Sequence, residues 1–236
     1  MSNNIIVKIF SIFVFVTLLL TSCSSEDKEQ EAPRTTTKNA VSIGILPVDE
    51  CLPYYVAEHL GLLDSLHADV RVVKYKALSE CRNALAAHEI DHYINDSSIH
   101  YRFFTSKKAR LHRISQLSDR VIAADGEGYS KRIVEENIDS LLKLKRHIFI
   151  IRVEDLDVRT KMLVSNSVDA AILPEPWATQ VKKAGAYELK IKPADSLALK
   201  AQPFPKVGNA KLSEALSVAK DSIRKYGKQN YYPLFQ

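Results

Sequence analysis

The residues with chemistry to offer fall at a few short stretches. Asp49-Glu50-Cys51-Leu52-Pro53-Tyr54-Tyr55 sets two acids, a thiol and two phenols at what reads as a helix start. As a nucleophile Cys51 would need a histidine beside it. His59 and His67 lie on or just after the same helix, His88 and His92 flank the next strand but one, and His100 lies beyond it. Each reads better as a surface or structural side chain, and no Cys/His spacing is tight enough for a metal site. The carboxylates Glu50, Glu80, Asp96, Asp125, Glu127 and Glu175 all fall near expected strand ends. They fit either an acidic cleft for a cationic or amine-bearing molecule, or helix capping, because acids are favoured in first helical turns. Capping is the stronger reading for Glu50 and Glu80, and binding the stronger for Asp96 and Glu175. Arg82, Arg152 and Lys131 would equally serve an anion, so the charge of a bound molecule stays open. Trp177 is the one tryptophan. It is either a stacking platform for a flat molecule or a wedge packed between two halves of the fold.

The elements that must hold these residues alternate. β-branched runs at 41–47, 69–75, 90–98, 120–126, 147–153, 168–174 and 187–193 read as strands. Helical periodicity marks 51–66, 78–89 with Ser79 as its cap, 98–107, 129–144, 154–166, 175–185 and 211–227. Residues 194–210 fit neither pattern. Such β-α alternation argues for an α/β fold of mainly parallel sheets with helical crossovers. In open α/β sheets small molecules sit beyond the carboxyl ends of the strands, at helix N-termini. That rule selects Pro47, Glu50, Tyr54, Asp96, Ser97, Asp125, Tyr129, Glu175 and Trp177 as candidate binding residues.

The N-terminus bears on the compartment. After Lys8 comes the apolar run IFSIFVFVTLLL, too short for a membrane helix and of signal-peptide length. Leu20-Thr21-Ser22-Cys23 follows at once and resembles a bacterial lipobox, which makes 1–22 the signal peptide and Cys23 the lipidated residue. Residues 23–40 are polar without periodicity and read as a flexible tether. Their acidic SEDKEQE run resembles the surface-export signals of lipoproteins in the Bacteroidetes. The expected location is therefore the cell envelope, lipid-anchored, facing the periplasm or the cell surface. With Cys23 assigned to lipid, Cys51 and Cys81 remain, and in an oxidising compartment a disulfide between them is expected. It would stabilise by about 3–4 kcal/mol on the chain-entropy picture. The net charge of +5, from 33 basic and 28 acidic residues, is spread out. No basic stripe interleaved with aromatics is present, which argues against nucleic acid as a partner.

Two longer segments carry a family resemblance. Pro53-Tyr54-Tyr55-Val56-Ala57 with Gly61-Leu62, then His88-Glu89-Ile90-Asp91 leading into the third strand, form one. Val168-Asp169-Ala170-Ala171-Ile172-Leu173-Pro174-Glu175-Pro176-Trp177-Ala178-Thr179 forms the other. Together they resemble the solute-binding proteins of ABC importers, in the branch that holds the sulfonate, taurine, nitrate and thiamine-pyrimidine binders. The resemblance implies a two-lobed, type II periplasmic-binding fold, with 41–117 plus 187–236 as one lobe and 118–186 as the other. It further implies closure on a sulfonate-, pyrimidine/vitamin- or amine-like metabolite and delivery to an ABC permease and ATPase, by a monomer without catalysis or cofactor. A scavenger or sensor without an importer, and an enzyme on the same fold, are the rival readings. The chain departs from the family in its shortness, in His88 where glycine is usual, and in its cysteine pair.

Overall fold

The computed structural model describes residues 40–94, 96–191 and 209–236. The expected signal peptide, Cys23, nearly all of the tether and most of 194–210 lie outside those residues. Thr36–Gln236 forms one compact unit.

The first sheet contains β1 (Val41–Ile45), β2 (Val70–Lys74) and β3 (His92–Tyr93) in the order β2-β1-β3, all parallel. Between its strands run helices α1 (Leu52–His59), α2 (Leu62–Ser65) and α3 (Leu78–Ala86). The second sheet has five strands: β4 (Arg102–Thr105), β5 (Arg120–Ala124), β6 (Ile148–Arg152), β7 (Ala170–Leu173) and β8 (Tyr187–Leu189). Their order is β6-β5-β7-β4-β8, with β6, β5 and β7 parallel and β4 antiparallel to both its neighbours. Helices α4 (Tyr129–Lys143), α5 (Leu156–Val164) and α6 (Trp177–Lys183) connect them, and α7 (Ala210–Tyr226) follows. The expected α/β architecture of mainly parallel sheets is therefore present.

Three features of the structure were not expected. The segment 98–107 is not a helix, because Arg102–Thr105 forms β4. Phe103 and Phe104 are both buried there, each in a different core cluster, as alternation on a strand covered on both faces requires. Second, β4 and β8 pair within the second sheet, which reaches from 102 to 189. Third, α3 is not capped by Ser79. The residue before it is Ala77, and the Glu80 carboxylate reaches back to accept from the Lys76 and Ala77 N–H groups at 2.8 and 3.2 Å.

Apolar burial ties the C-terminus to the first sheet. Leu212, Ala215, Ala219 and Ile223 form a buried stripe at helical spacing on α7, which packs on α1. Asn209 caps α7 by accepting from Lys211 N and Leu212 N. After Gly227 the chain turns back across α1, and the Phe235 ring meets Tyr55 edge-on with centroids 4.7 Å apart.

The expected Cys51–Cys81 disulfide is not formed: both cysteines are free and buried. Cys51 closes a 3-10 turn at Asp49–Cys51, where its sulfur accepts from Leu46 N at 3.4 Å. Burial pushes the Cys81 thiol up to about 12 and raises Cys51 as well, so both stay protonated and inert.

Candidate ligand cleft

Two turns from different sheets meet. The first leaves β1 through Leu46-Pro47-Val48 into the 3-10 turn and α1, with Pro53 in the helix's first turn, where a missing N–H costs nothing. The second leaves β7 through Pro174-Glu175-Pro176, with a cis Glu175–Pro176 peptide, into α6. They are joined by two hydrogen bonds: Asp49 N donates to the Glu175 carbonyl at 3.1 Å, and the Trp177 indole N–H donates to the Pro47 carbonyl at 3.1 Å. Beside this crossing lies a cavity of ≈ 310 Å³ lined by Asp49, Glu50, His100, Glu175 and Lys228.

Each acid of the cavity is held differently. Asp49 receives the Lys228 ammonium at 2.6 Å. Tyr232 also stands against Asp49, and burial together with that carboxylate raises its phenol above the usual range. Glu175 takes Arg102 Nη1 on one oxygen at 2.5 Å and the Thr179 N–H on the other at 2.9 Å. Arg102 turns its remaining face to both oxygens of Glu188. The hydrogen bonds between them hold the Glu188 carboxyl below its ordinary range and raise the guanidinium. Glu50 accepts the His100 backbone N–H on Oε1 at 2.8 Å, while its Oε2 is shut from solvent with no hydrogen-bond partner.

No family model matches the chain, and no curated protein matches it. Solved structures do. An alkanesulfonate-binding protein from Xanthomonas axonopodis pv. citri, bound to MOPS, superimposes with a TM-score of 0.58 at 15% identity, over 78% of this chain and 74% of that one. The periplasmic aliphatic sulphonate binding protein of Escherichia coli gives 0.57 at 14% identity, over 84% and 74%. A protein of Bordetella bronchiseptica RB50 gives 0.56 at 18% identity, over 84% and 78%. The fold is that of the type II periplasmic binding proteins.

In this type II fold, the structure brings four of the nine expected binding residues to one place: Pro47, Glu50, Glu175 and Trp177. Of these only Glu50 and Glu175 line the cavity; Pro47 and Trp177 clamp the crossing behind it. Trp177's N–H is engaged and its ring packs on the core. Tyr54 is 5% exposed within the first core, and burial raises its phenol. Asp125 is taken up by a buried ion pair with Arg159 and by the Ser130 hydroxyl. Tyr129 opens α4 with the Arg132 guanidinium 5.7 Å over its ring. Asp96 and Ser97 lie in a 3-10 turn, Asp96–Ser98, that touches α4. Arg152, a candidate for anions, pairs with Glu154 at 2.6 Å and lies over Gly126, where a Cβ would meet its side chain at 2.4 Å. Among the described residues no three His, Cys, Asp or Glu side chains form a metal-holding group. Sequence reasoning missed Asp49, His100, Arg102, Lys228 and Tyr232 as site residues. Asp49 stood inside a selected strand end, but Lys228 and Tyr232 follow the last helix and had no local signal.

Proposed function

We propose that the protein is an extracytoplasmic solute-binding lipoprotein that captures a small organic metabolite and delivers it to an ABC importer. The observation that carries this reading is the cavity of ≈ 310 Å³ at the crossing of two sheets in a type II binding-protein fold. Its size stands at the lower end of small-molecule sites, about 300–1,000 Å³, and suits a metabolite rather than a peptide. Sulfonate-, pyrimidine/vitamin- and amine-like molecules are the classes considered. Relative movement of the two sheets about the segments that join them would close the cleft, expel water and strengthen each polar contact inside. Binding needs no bond to break, so the reading is a binder and not an enzyme. Attachment to the membrane falls to lipid on Cys23, the last residue of the lipobox-like Leu20-Thr21-Ser22-Cys23.

A thermal-shift screen of the 36–236 unit against vitamins, pyrimidines, alkanesulfonates and amines tests the binding function. A ligand at a hundred times its Kd stabilises by about 2.7 kcal/mol, which raises the melting temperature by roughly 5–10 °C for a protein of this size. A flat response to every class would refute the reading. Replacement of Cys23 by alanine should move the full-length protein from the membrane fraction to the soluble one.

A further inference from the structure

The cleft's charges can be paired off, and the pairing leaves one carboxylate over. Asp49 has Lys228 at 2.6 Å. Glu175 has Arg102 at 2.5 Å, and Glu188, the other acid on Arg102, has Lys182 at 3.8 Å. Two acids therefore face two cations in that network. Glu50 has no such partner among the described residues. Its Oε1 takes a neutral backbone N–H, and the His100 ring, almost wholly exposed, comes only to 3.7 Å. Its Oε2 has nothing, although four-fifths of the side chain is covered. A carboxylate held in this way lacks both the counter-charge and the second hydrogen bond that covered carboxylates require. The neighbouring cavity offers a place for the missing counter-charge: Oε2 is shut from solvent, but Oε1 keeps a second acceptor position beside the His100 N–H.

Resting on the solute-binding reading above, we infer that the cavity takes a small molecule bearing a single ammonium group, with Glu50 as its acceptor. Lys228 supports the class and limits the charge. Its own ammonium already sits against one wall of this cavity on Asp49, which shows that the wall accepts that group. A ligand with a second cation would have to displace it. The site therefore prefers monoamines to diamines, and the C-terminal turn that carries Lys228 determines that preference. An anion would meet three carboxylates and is disfavoured.

Isothermal titration with n-butylamine, putrescine, 1-butanol and butanesulfonate tests this directly, since the four share a chain length and differ in charge. Butylamine should bind, while butanol and butanesulfonate should not. Glu50→Gln should weaken butylamine by at least about tenfold, the value of a charge-assisted hydrogen bond. Lys228→Met should strengthen putrescine relative to butylamine by about tenfold, since it frees Asp49 for the second ammonium. Binding of butanol or butanesulfonate without butylamine would overturn the ligand class and leave the solute-binding function standing. Unchanged butylamine affinity in Glu50→Gln would overturn the role of Glu50. No heat with any of the four, together with a flat thermal-shift screen, would overturn both. If Glu50→Gln does not fold, the four-probe series on the unaltered protein still decides the class.

Discussion

At the end of β1 the chain runs Pro47-Val48-Asp49-Glu50 into a helix, and at the end of β5 it runs Asp125-Gly126-Glu127-Gly128 into another. Both turns close a parallel strand, both carry acids, and both stand where open α/β sheets hold ligands. Their acids do opposite work. Asp125 is 6% exposed and is bound from two sides, by Arg159 and by the Ser130 hydroxyl, both themselves buried. Arg159 completes its own set of donors on the Val153 and Ile172 carbonyls at 2.7 and 2.9 Å. Nothing in that cluster is left to offer. Glu50 faces a cavity with one oxygen unpartnered. Satisfied acids hold a fold together and unsatisfied ones recruit, so position alone does not separate the two roles.

The largest effect that would test the contrast lies at β5. Arg159→Met leaves Asp125 as an uncompensated buried charge and should cost about 3–5 kcal/mol in urea unfolding. Joining it with Asp125→Leu should restore most of that loss, because the pair's desolvation is then removed as well. Butylamine affinity of the folded double variant should match the unaltered protein. If Asp125→Asn instead abolished binding with little loss of stability, the two turns would be alike after all.

How much of this was legible follows from how far each partner lies along the chain. The parallel order was readable because β-branched runs such as Val70-Arg71-Val72-Val73 alternate with helix-spaced segments. β4 was not, because Phe103-Phe104-Thr105 is buried on both faces and shows no alternation to distinguish it from a helix face. The two turns that carry Pro47, Glu50, Glu175 and Trp177 were legible, since each turn follows a strand, although Glu50 read first as a helix cap. The structural role of Asp125 was not, because its partner Arg159 comes 34 residues later, on a helix where arginine ordinarily reads as surface. Lys228 is 179 residues from Asp49 and is brought there only by the packing of α7 on α1. The unpaired cysteines follow the same rule: both helix starts were located, but not the inward aim of the Cys51 sulfur towards Leu46.

A smaller effect is expected where the β1 turn is fastened to the second sheet. Trp177→Phe keeps most of the packing and removes the N–H that meets the Pro47 carbonyl. The loss should be about 1 kcal/mol, seen as a drop of roughly 2–4 °C in melting temperature. Ligand affinity should fall with it, because Pro47 and Glu50 belong to one short turn whose aim the bond helps to fix. An unchanged melting temperature would mean that the Asp49–Glu175 backbone bond fixes the crossing alone.

The smallest effect concerns the arginine that links Glu175 to Glu188 within the second sheet. Arg102 holds Glu175 at the cleft because Glu188 holds Arg102 from the other side. The hydrogen bonds from Arg102 lower the Glu188 pKa, so the folded protein takes up this proton less readily than the unfolded chain. The resulting stability is complete above the ordinary glutamate range, about pH 4.3, and is lost as pH falls through the lower folded value. With Glu188 about a third exposed, solvent screening keeps the contribution to about 1 kcal/mol or less. Glu188→Gln should therefore be slightly less stable at pH 7 and converge with the unaltered protein as acid is added below pH 4. A constant offset between the two at all pH values would place the effect in packing rather than charge. Arg102 would then hold Glu175 without help from β8, and the charge pairing that isolates Glu50 would rest on Arg102 and Glu175 alone.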